Sequence, residues 1–317
     1  MSEKVRFLNM ANQSLPQWLL QEVGRRGEVK NKRDLDKDEL YEYMQHVDIV
    51  LASGGSTITA DDIKAMPKLR LITDCAVGYD KIDVAACKEH GVHVTHTPGV
   101  LNNDVADLAV GLLINVTRSL VAAHKYIENG NWGKTLFPLS TSMSDLKVGL
   151  AGIGSIGQEI AKRLEPFKTH IGYFARHRHD DLPYTYFEKI VDLAQWCDAL
   201  IIIMPASKDN YHIVDDKVLD ALKDGFLINV GRGSLVDTQA LIDALESGHI
   251  KGVALDVFEN EPHVPSSFLH MDNVVITPHI GSATQRTRRI MGQMVLDNID
   301  AFLSGRELVN EVKETRS

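Results

Sequence analysis

The chain has 317 residues, enough for two domains of ordinary size, and its 44% hydrophobic and 24% charged residues are typical of a globular protein. Its formal net charge of −9 argues against nucleic-acid binding, which needs a broad basic face, and gives no attraction to anionic membranes. Three scattered cysteines without a CxxC spacing, Cys75, Cys87 and Cys197, predict buried, inert thiols in a reducing compartment, and neither a disulfide framework nor a metal site.

The N-terminal segment MSEKVRFLNM shows neither an apolar leader nor a cleavage site. The longest apolar run, ALIIIM at 199–204, is too short to cross a bilayer. We therefore expect a cytoplasmic protein that is not attached to a membrane.

Short β-rich runs alternate with helical stretches in the first hundred residues. The runs that predict strands are VRFLN (5–9), DIVLAS (48–53), LRLITD (69–74) and VHVTH (92–96). The stretches that predict helices are DKDELYEYMQ (36–45) and VAACKEH (84–90). This alternation predicts a parallel, doubly wound sheet.

A Pro-Gly break opens the next segment, TPGVLNNDVADLAVGLLINVTRSLVAAHKYIENG (97–130). The apolar periodicity after the break predicts one long helix, for which Asn102, Asn103 or Asp104 is available as the N-cap.

The second half of the chain also alternates predicted strands with predicted helices, over a longer stretch. Its strand candidates are near-continuous apolar runs, as found in parallel strands that helices cover on both faces. These runs are KVGLAG (147–152), HIGYF (170–174), ALIIIM (199–204), FLINVG (226–231), GVALDVF (252–258) and NVVITP (273–278). The tail from about residue 284, with RRIMGQMVLDNIDAFLSG, predicts a final helix. We expect an α/β protein with two doubly wound parallel-sheet domains separated by a cleft: residues 1–98 with 285–317, and residues 99–284.

The sequence GIGSIG fits G-x-G-x-x-G through Gly152, Gly154 and Gly157. An apolar strand leads into it, a helix with Ile156 at its start leaves it, and a second strand follows within a βαβ unit. We therefore predict that these glycines, with Ser155 and Ile156, bind the pyrophosphate of a dinucleotide at the helix N-terminus; the alternative is a purely structural turn.

The second strand of this unit ends at Phe174, where the fingerprint expects an acidic residue for the adenosine ribose. Arg176 stands there instead, and Arg178 follows closely. A guanidinium suits a 2′-phosphate, so these arginines predict NADP(H) as the cofactor in preference to NAD(H). A solvated basic turn is the alternative, and it suits the two neighbouring histidines, His177 and His179, better.

Three polar residues follow later strands, at the edge where a doubly wound fold binds its ligands. They are Arg232 in VGRGSLVD, Glu261 in FENEP and His279 in TPHIGSAT. Each alone has a structural explanation, but together they supply a cation for a substrate carboxylate, a proton donor, and a carboxylate that orients the donor. Hydride addition to a 2-oxo acid requires this set. Asp256, in the run GVALDVF, joins the predicted cofactor-binding residues.

The motifs VGRGSLVD, LDVFENEP and TPHIGSAT, in this order after GIGSIG, resemble those of the D-isomer-specific 2-hydroxyacid dehydrogenases. The resemblance covers essentially the whole chain. It implies a flavodoxin-like N-terminal substrate domain completed by the C-terminal helix, an inserted Rossmann domain for the cofactor, and a homodimer built largely through the latter. It also implies the roles given above for Arg232, Glu261 and His279.

The resemblance further implies that the backbone amides of Val77 and Gly78, in CAVGYDKID, bind the substrate carboxylate, although a plain strand–turn glycine is the alternative. The loop ASGGS (52–56), with Gly54, would close the other side of the pocket. The segments HTPGVLNNDVADLAVGLL and PHIGSATQRTR are similar to the NADPH-dependent glyoxylate/hydroxypyruvate reductase branch. In GNWGKTLFP, Trp132 and Phe137 correspond loosely to an aromatic segment that reaches a partner subunit in related reductases.

The sequence thus predicts NADPH-dependent reduction of a small 2-oxo acid, glyoxylate or hydroxypyruvate, to the D-2-hydroxy acid, with His279 as the general acid. Aromatic or sugar-derived 2-oxo acids, such as phenylpyruvate and 2-ketogluconate, are alternative substrates. A nucleotide-sensing interaction protein of the corepressor type is the alternative from another class, and the complete Arg–Glu–His set favours the enzyme. No metal and no nucleic acid is expected.

Overall fold

The computed structural model describes residues 4–11 and 15–316. The first three residues of the N-terminal segment discussed above therefore lie outside the described part. The described residues form two compact units, one up to Val100 and again from Thr284 onward, the other Leu101–Ala283.

Strands and helices alternate along almost the whole described chain. The strands are β1 Arg6–Asn9, β2 Glu28–Asn31, β3 Ile49–Ser53, β4 Leu71–Cys75, β5 His93–Thr95, β6 Lys147–Ala151, β7 His170–Phe174, β8 Thr185–Phe187, β9 Ala199–Ile202, β10 Phe226–Asn229, β11 Gly252–Leu255 and β12 Val274–Ile276. The α-helices are α1 Gln17–Gly24, α2 Lys37–Met44, α3 Ala60–Lys64, α4 Val84–Glu89, α5 Asn102–Arg118, α6 Leu120–Glu128, α7 Ser155–Leu164, α8 Ile190–Trp196, α9 Asp216–Ala221, α10 Thr238–Glu246 and α11 Gln285–Leu303.

The first unit contains a five-stranded parallel sheet in the order β2-β1-β3-β4-β5. This is the flavodoxin-like order. Every residue of β3 and β4 is buried, because helices cover both faces of a parallel sheet. The final helix α11 belongs to this unit and packs against β4 and α1. Arg26, just after α1, forms a two-pronged ion pair with Asp300 of α11, at 2.6 and 2.7 Å.

The second unit contains a seven-stranded parallel sheet in the order β12-β11-β10-β9-β6-β7-β8. The strand order reverses at β6, so the carboxyl ends of β6 and β9 flank the switch point where doubly wound sheets bind ligands. The predicted fold class, two doubly wound parallel-sheet units, is confirmed.

Two strands, β2 and β8, have no counterpart in the sequence prediction. The β2 residues Glu28–Asn31 read EVKN and are all only half-buried, so they lack the apolar run that marks the other strands. The three-residue strand β8 is likewise without a fully buried residue. Both lie at sheet edges, where pairing to a single neighbour needs no apolar pattern.

The single long helix predicted within 97–130 is wrong. Ser119 adopts a left-handed conformation (φ 51°), which ends α5, and α6 starts at the next residue. The predicted N-cap is also wrong: Leu101 occupies the cap position without a side-chain hydrogen bond, and Asn102 is already helical. Among the described residues, no single helix is long and apolar enough to cross a membrane; α5 and α6 pass that test of length and composition only as a pair, across their 55° bend.

The three cysteines are buried, as predicted. Burial raises the pKa of each thiol to about 12, because the apolar surroundings disfavour the thiolate. Burial is therefore confirmed, and the low reactivity of these thiols stays a prediction.

Candidate active site

The glycine motif forms the turn from β6 into α7. Gly152 has φ 110°, and a Cβ there would lie 2.6 Å from the carbonyl oxygen of Ile203, after β9. A Cβ on Gly157 would overlap the carbonyl of Gly152. The first turn of α7 therefore packs directly against the backbone of the glycine turn, which only glycine at position 157 permits. No heavy atom lies within 4 Å of a Cβ built on Gly154, and Gly154 and Ser155 are both exposed.

The N-terminus of α7 is open to an anion. Gly154 is its N-cap, and no side chain caps the helix. The amides of the first turn, with the positive end of the helix dipole, are thus free of a side-chain competitor and suit a pyrophosphate. Ile156 is half-buried on this first turn. The local geometry fits the dinucleotide that the sequence motif predicts.

Arg176 and Arg178 lie on an exposed turn after β7. The buried Tyr173 anchors this turn, because its hydroxyl accepts a hydrogen bond from the His179 N–H at 2.8 Å. Arg178 forms an ion pair with Asp180 at 3.0 Å, which the sequence interpretation did not foresee. Side chains this exposed, 70% and 89%, form weak pairs that an incoming phosphate can displace.

Arg232, Glu261 and His279 follow three adjacent strands, β10, β11 and β12, at one edge of the seven-stranded sheet. Parallel strands bring their carboxyl ends to the same edge, so the sheet itself gathers these loops.

The turn that carries Arg232 is held by Asn229, a fully buried residue at the end of β10. The Asn229 Oδ1 accepts a hydrogen bond from the Gly231 N–H at 3.0 Å, and its Nδ2 donates to the Arg232 carbonyl at 2.9 Å. Sequence reasoning missed this residue; the available signal was a lone amide at the end of the apolar run FLIN.

Gly233 locks the same turn against the next loop. A Cβ on Gly233 would overlap the carbonyl of Phe258 and the amide nitrogen of Glu259. Only glycine therefore permits this contact between the Arg232 turn and the loop that leads to Glu261.

His279 and Glu261 form a pair, with His279 Nδ1 at 2.9 Å from Glu261 Oε2. The other Glu261 oxygen accepts a hydrogen bond from the Phe258 N–H at 3.1 Å. An ionised carboxylate only accepts hydrogen bonds, so the contact places a proton on Nδ1 and leaves Nε2 as the nitrogen that can exchange one. The two side chains are 29% and 25% exposed, so the pair is accessible to small molecules.

Asp256 shapes the loop that carries His279. Its buried carboxylate accepts hydrogen bonds from the Thr277 hydroxyl at 2.6 Å and from the Ile280 and Gly281 N–H groups at 2.8 and 2.9 Å. Burial raises the pKa of Asp256, and these hydrogen bonds oppose the rise because they favour the ionised form. The loop is further closed by the His279 N–H, which donates to the Asp256 carbonyl. The predicted contact of Asp256 with the cofactor stays a prediction.

The residues predicted to bind the substrate carboxylate lie in the first unit. Val77 and Gly78 follow β4, both half-buried, and Gly54 lies in a turn after β3. In that turn the Ser53 N–H donates to the Ser56 hydroxyl at 3.0 Å, and the Ser56 N–H donates to the Ser53 carbonyl at 2.8 Å. A Cβ on Gly54 would lie 3.5 Å from that of Ala76, which precedes Val77.

Comparison with known proteins identifies the family. Residues 110–281 match the NAD-binding domain of the D-isomer specific 2-hydroxyacid dehydrogenases. Glyoxylate/hydroxypyruvate reductase A from Arabidopsis thaliana is 44% identical over 264 residues, which are 83% of this chain and 84% of the relative. Hydroxyphenylpyruvate reductase from Plectranthus scutellarioides is 40% identical over 277 residues, 87% of this chain and 88% of the relative.

A solved structure agrees. The NADPH-dependent glyoxylate/hydroxypyruvate reductase of Sinorhizobium meliloti, crystallised with NADP and malonate, superposes with a TM-score of 0.90 at 38% identity, covering 99% of this chain and 98% of that one. The resemblance read from the four sequence motifs is thereby confirmed. The chain is an oxidoreductase that belongs to the D-isomer specific 2-hydroxyacid dehydrogenase family.

Proposed function

We propose that the protein is an NADPH-dependent reductase of small 2-oxo acids, with glyoxylate and hydroxypyruvate as substrates. The products are the 2-hydroxy acids, with the D configuration wherever the new hydroxyl carbon is chiral. The observation that carries this proposal is the His279–Glu261 contact of 2.9 Å on loops next to that of Arg232. A proton donor, its orienting carboxylate and a fixed cation are what the reduction of a 2-oxo acid needs.

In this proposal His279 is the general acid. Glu261 keeps the Nδ1 proton in place and stabilises the imidazolium, so Nε2 delivers the proton to the oxygen of the 2-oxo group. Glu261 is itself held by the Phe258 N–H, which prevents it from following the imidazole as the charge moves.

Arg232 binds the substrate carboxylate and stabilises the negative charge that develops on the carbonyl oxygen. Within the first unit, the Val77 and Gly78 amides and Gly54 are the residues that we assign to substrate binding. We assign residues 1–98 with 285–317 to substrate binding and residues 99–284 to cofactor binding.

The cofactor that we propose is NADPH, which supplies the hydride when it is bound. Gly152, Gly154, Ser155, Ile156 and Gly157 would hold its pyrophosphate. Arg176 would bind the 2′-phosphate, and Arg178 would join it once the phosphate has displaced Asp180. Asp256 is the remaining residue that we assign to cofactor binding. The NADP bound to the Sinorhizobium meliloti relative supports this choice.

The choice of glyoxylate and hydroxypyruvate is supported by the Arabidopsis and Sinorhizobium relatives. An aromatic 2-oxo acid is the second candidate, because the hydroxyphenylpyruvate reductase is 40% identical, close to the 44% of the first relative. Sugar-derived 2-oxo acids such as 2-ketogluconate are a third class to test.

We further propose a homodimer that forms through α6 and the segment after it. No residue of α6 is buried, and Ile127, Trp132 and Leu136 are 56%, 78% and 95% exposed. Phe137 packs edge-on against Tyr126 of α6 at 5.3 Å between ring centroids, so the segment and the helix form one apolar surface. A surface of this kind is typical of an interface.

The test is NADPH oxidation with glyoxylate, hydroxypyruvate, phenylpyruvate and 2-ketogluconate, repeated with NADH. We expect the highest kcat/KM for one of the first two substrates with NADPH, and no turnover in His279→Ala, which should still bind NADPH. NADPH binding without turnover of any substrate would contradict the enzyme and favour a nucleotide-sensing interaction protein. Near-normal turnover in His279→Ala would contradict the acid assignment.

A further inference from the structure

The loop after β4 presents two consecutive backbone amides, those of Val77 and Gly78. Neither N–H donates a hydrogen bond to another residue in the described part of the chain. The carbonyls of the same two peptide units are both occupied. The Ala76 carbonyl accepts the Thr97 N–H at 2.7 Å, and the Val77 carbonyl lies 2.9 Å from His96 Nδ1.

Both peptides are trans, so each N–H points away from its own carbonyl. The Ala76 carbonyl and the Val77 N–H belong to one peptide plane, and the Val77 carbonyl and the Gly78 N–H belong to the next. Contacts that fix the two carbonyls toward residues 96 and 97 therefore aim both amides to the opposite side. Such a pair of amides is a site for an anion.

We infer that His96 is a positioning residue: its Nδ1–H donates to the Val77 carbonyl and so aims and polarises the Gly78 N–H that binds the substrate carboxylate. A carbonyl only accepts, so the contact requires a proton on Nδ1 in every protonation state of the ring. A hydrogen bond to the carbonyl of a peptide also strengthens its N–H as a donor, since hydrogen bonds in series polarise one another. This inference rests on the proposed function.

His96 is itself fixed from two sides. Its own N–H donates to the Asn310 carbonyl at 3.1 Å, so the C-terminal segment holds its backbone. Its ring lies edge-on to Tyr79 at 5.2 Å between centroids, and the Tyr79 hydroxyl reaches Glu314 at 3.4 Å. A ring held in this way can orient the Val77 peptide without reorganising when substrate arrives.

The experiment compares three variants. His96→Leu removes the donor and keeps an apolar side chain of moderate size. His96→Asn restores a donor, because Asn Nδ2 is attached to Cγ as His Nδ1 is. His90→Leu is the matched control: His90 Nδ1 also lies 2.9 Å from a backbone carbonyl, but that of Ala86 on α4, not of the loop that carries Val77 and Gly78.

For each variant we would measure kcat and KM for glyoxylate, KM for NADPH, and inhibition by oxalate, a dicarboxylate of similar size. When the Gly78 N–H is no longer aimed at the carboxylate, one hydrogen bond of about 1 kcal/mol to the ligand is lost. This should raise the glyoxylate KM and the oxalate inhibition constant roughly 5-fold in His96→Leu. The NADPH KM should stay unchanged, His96→Asn should recover most of the loss, and His90→Leu should match the wild type.

Equal glyoxylate KM and oxalate inhibition in wild type and His96→Leu would overturn the inference while leaving the proposed function standing. So would a parallel rise in the NADPH KM, or a loss in His96→Leu that His96→Asn fails to restore, because either would show a merely structural role. A wild-type protein that reduces no 2-oxo acid would instead refute the proposed function, and the inference with it.

Discussion

Replacement of Asn229 by alanine should separate the geometry of the Arg232 turn from the stability of the fold. The side chain makes two hydrogen bonds, to the Gly231 N–H at 3.0 Å and to the Arg232 carbonyl at 2.9 Å. In Asn229→Ala the buried Gly231 N–H loses its partner, which costs about 1–3 kcal/mol, and loss of the second bond adds about 1 kcal/mol. We expect the free energy of unfolding to fall by roughly 2–4 kcal/mol.

Activity should fall as well, because the Arg232 turn loses its anchor. A displacement of about 1 Å in a group that positions substrate can cost on the order of 100-fold in rate. We therefore expect kcat/KM for glyoxylate to fall about 100-fold, while NADPH affinity, which depends on the glycine turn after β6, changes little. The assays are NADPH oxidation, urea unfolding and fluorescence titration with NADPH.

The control is Leu219→Ala, a fully buried residue of α9 in the hydrophobic core of the same unit. Its loss should cost about 2–5 kcal/mol in stability and leave kcat/KM unchanged below the unfolding transition. If Asn229→Ala is destabilised as expected but keeps the kcat/KM of Leu219→Ala, Asn229 does not position Arg232 and the reasoning fails.

Three further predictions concern other parts of the chain. Arg176→Ala should lower kcat/KM with NADPH by roughly 10- to 100-fold and leave the value with NADH unchanged, which parallel steady-state kinetics would show; an equal loss with both cofactors would contradict a 2′-phosphate contact. The three cysteines, with pKa raised to about 12, should not react with a disulfide reagent at pH 8 until denaturant is added, and rapid labelling of the native protein would refute their burial. Arg26 lowers the pKa of Asp300 in the folded protein, chiefly through their hydrogen bond. The ion pair therefore stabilises the fold fully when the pH is above the pKa that Asp300 has in the unfolded chain. This stabilisation is lost as the pH falls through the lower pKa that Asp300 has in the folded protein. Asp300→Asn should therefore be less stable than wild type by about 1 kcal/mol at pH 7; the effect is small because Asp300 is 43% exposed. The difference in the free energy of unfolding should shrink on acidification. A difference that does not change with pH would exclude the ion pair as its cause.

The sheets and the grouping of the polar loops could be predicted because both depend on patterns that are local in the sequence. Apolar runs mark β6 and β10, and parallel pairing then places the residues that follow them at one edge. The contact between Glu261 and His279, 18 residues apart, follows from adjacent strands of one sheet.

What could not be predicted depends on tertiary contacts that leave no pattern. The left-handed Ser119 breaks a helix whose periodicity continues across it. The strand β2 forms only because its polar backbone finds an edge to pair with. Gly233 touches backbone atoms of a neighbouring loop, and its residue type alone does not predict that contact. Asn229 holds its own turn through Gly231 and Arg232, and a single amide after an apolar run does not predict that role either.

His279 adopts a left-handed backbone, with φ 53°. For a side chain other than glycine this conformation costs on the order of 1 kcal/mol, and the hydrogen bonds around Asp256 hold it in place. Glycine or asparagine would relieve the strain, but neither can act as a proton donor near neutral pH. Under the proposed function, folding and chemistry therefore favour different residues at this one position: the left-handed backbone favours glycine, and proton donation requires the imidazole.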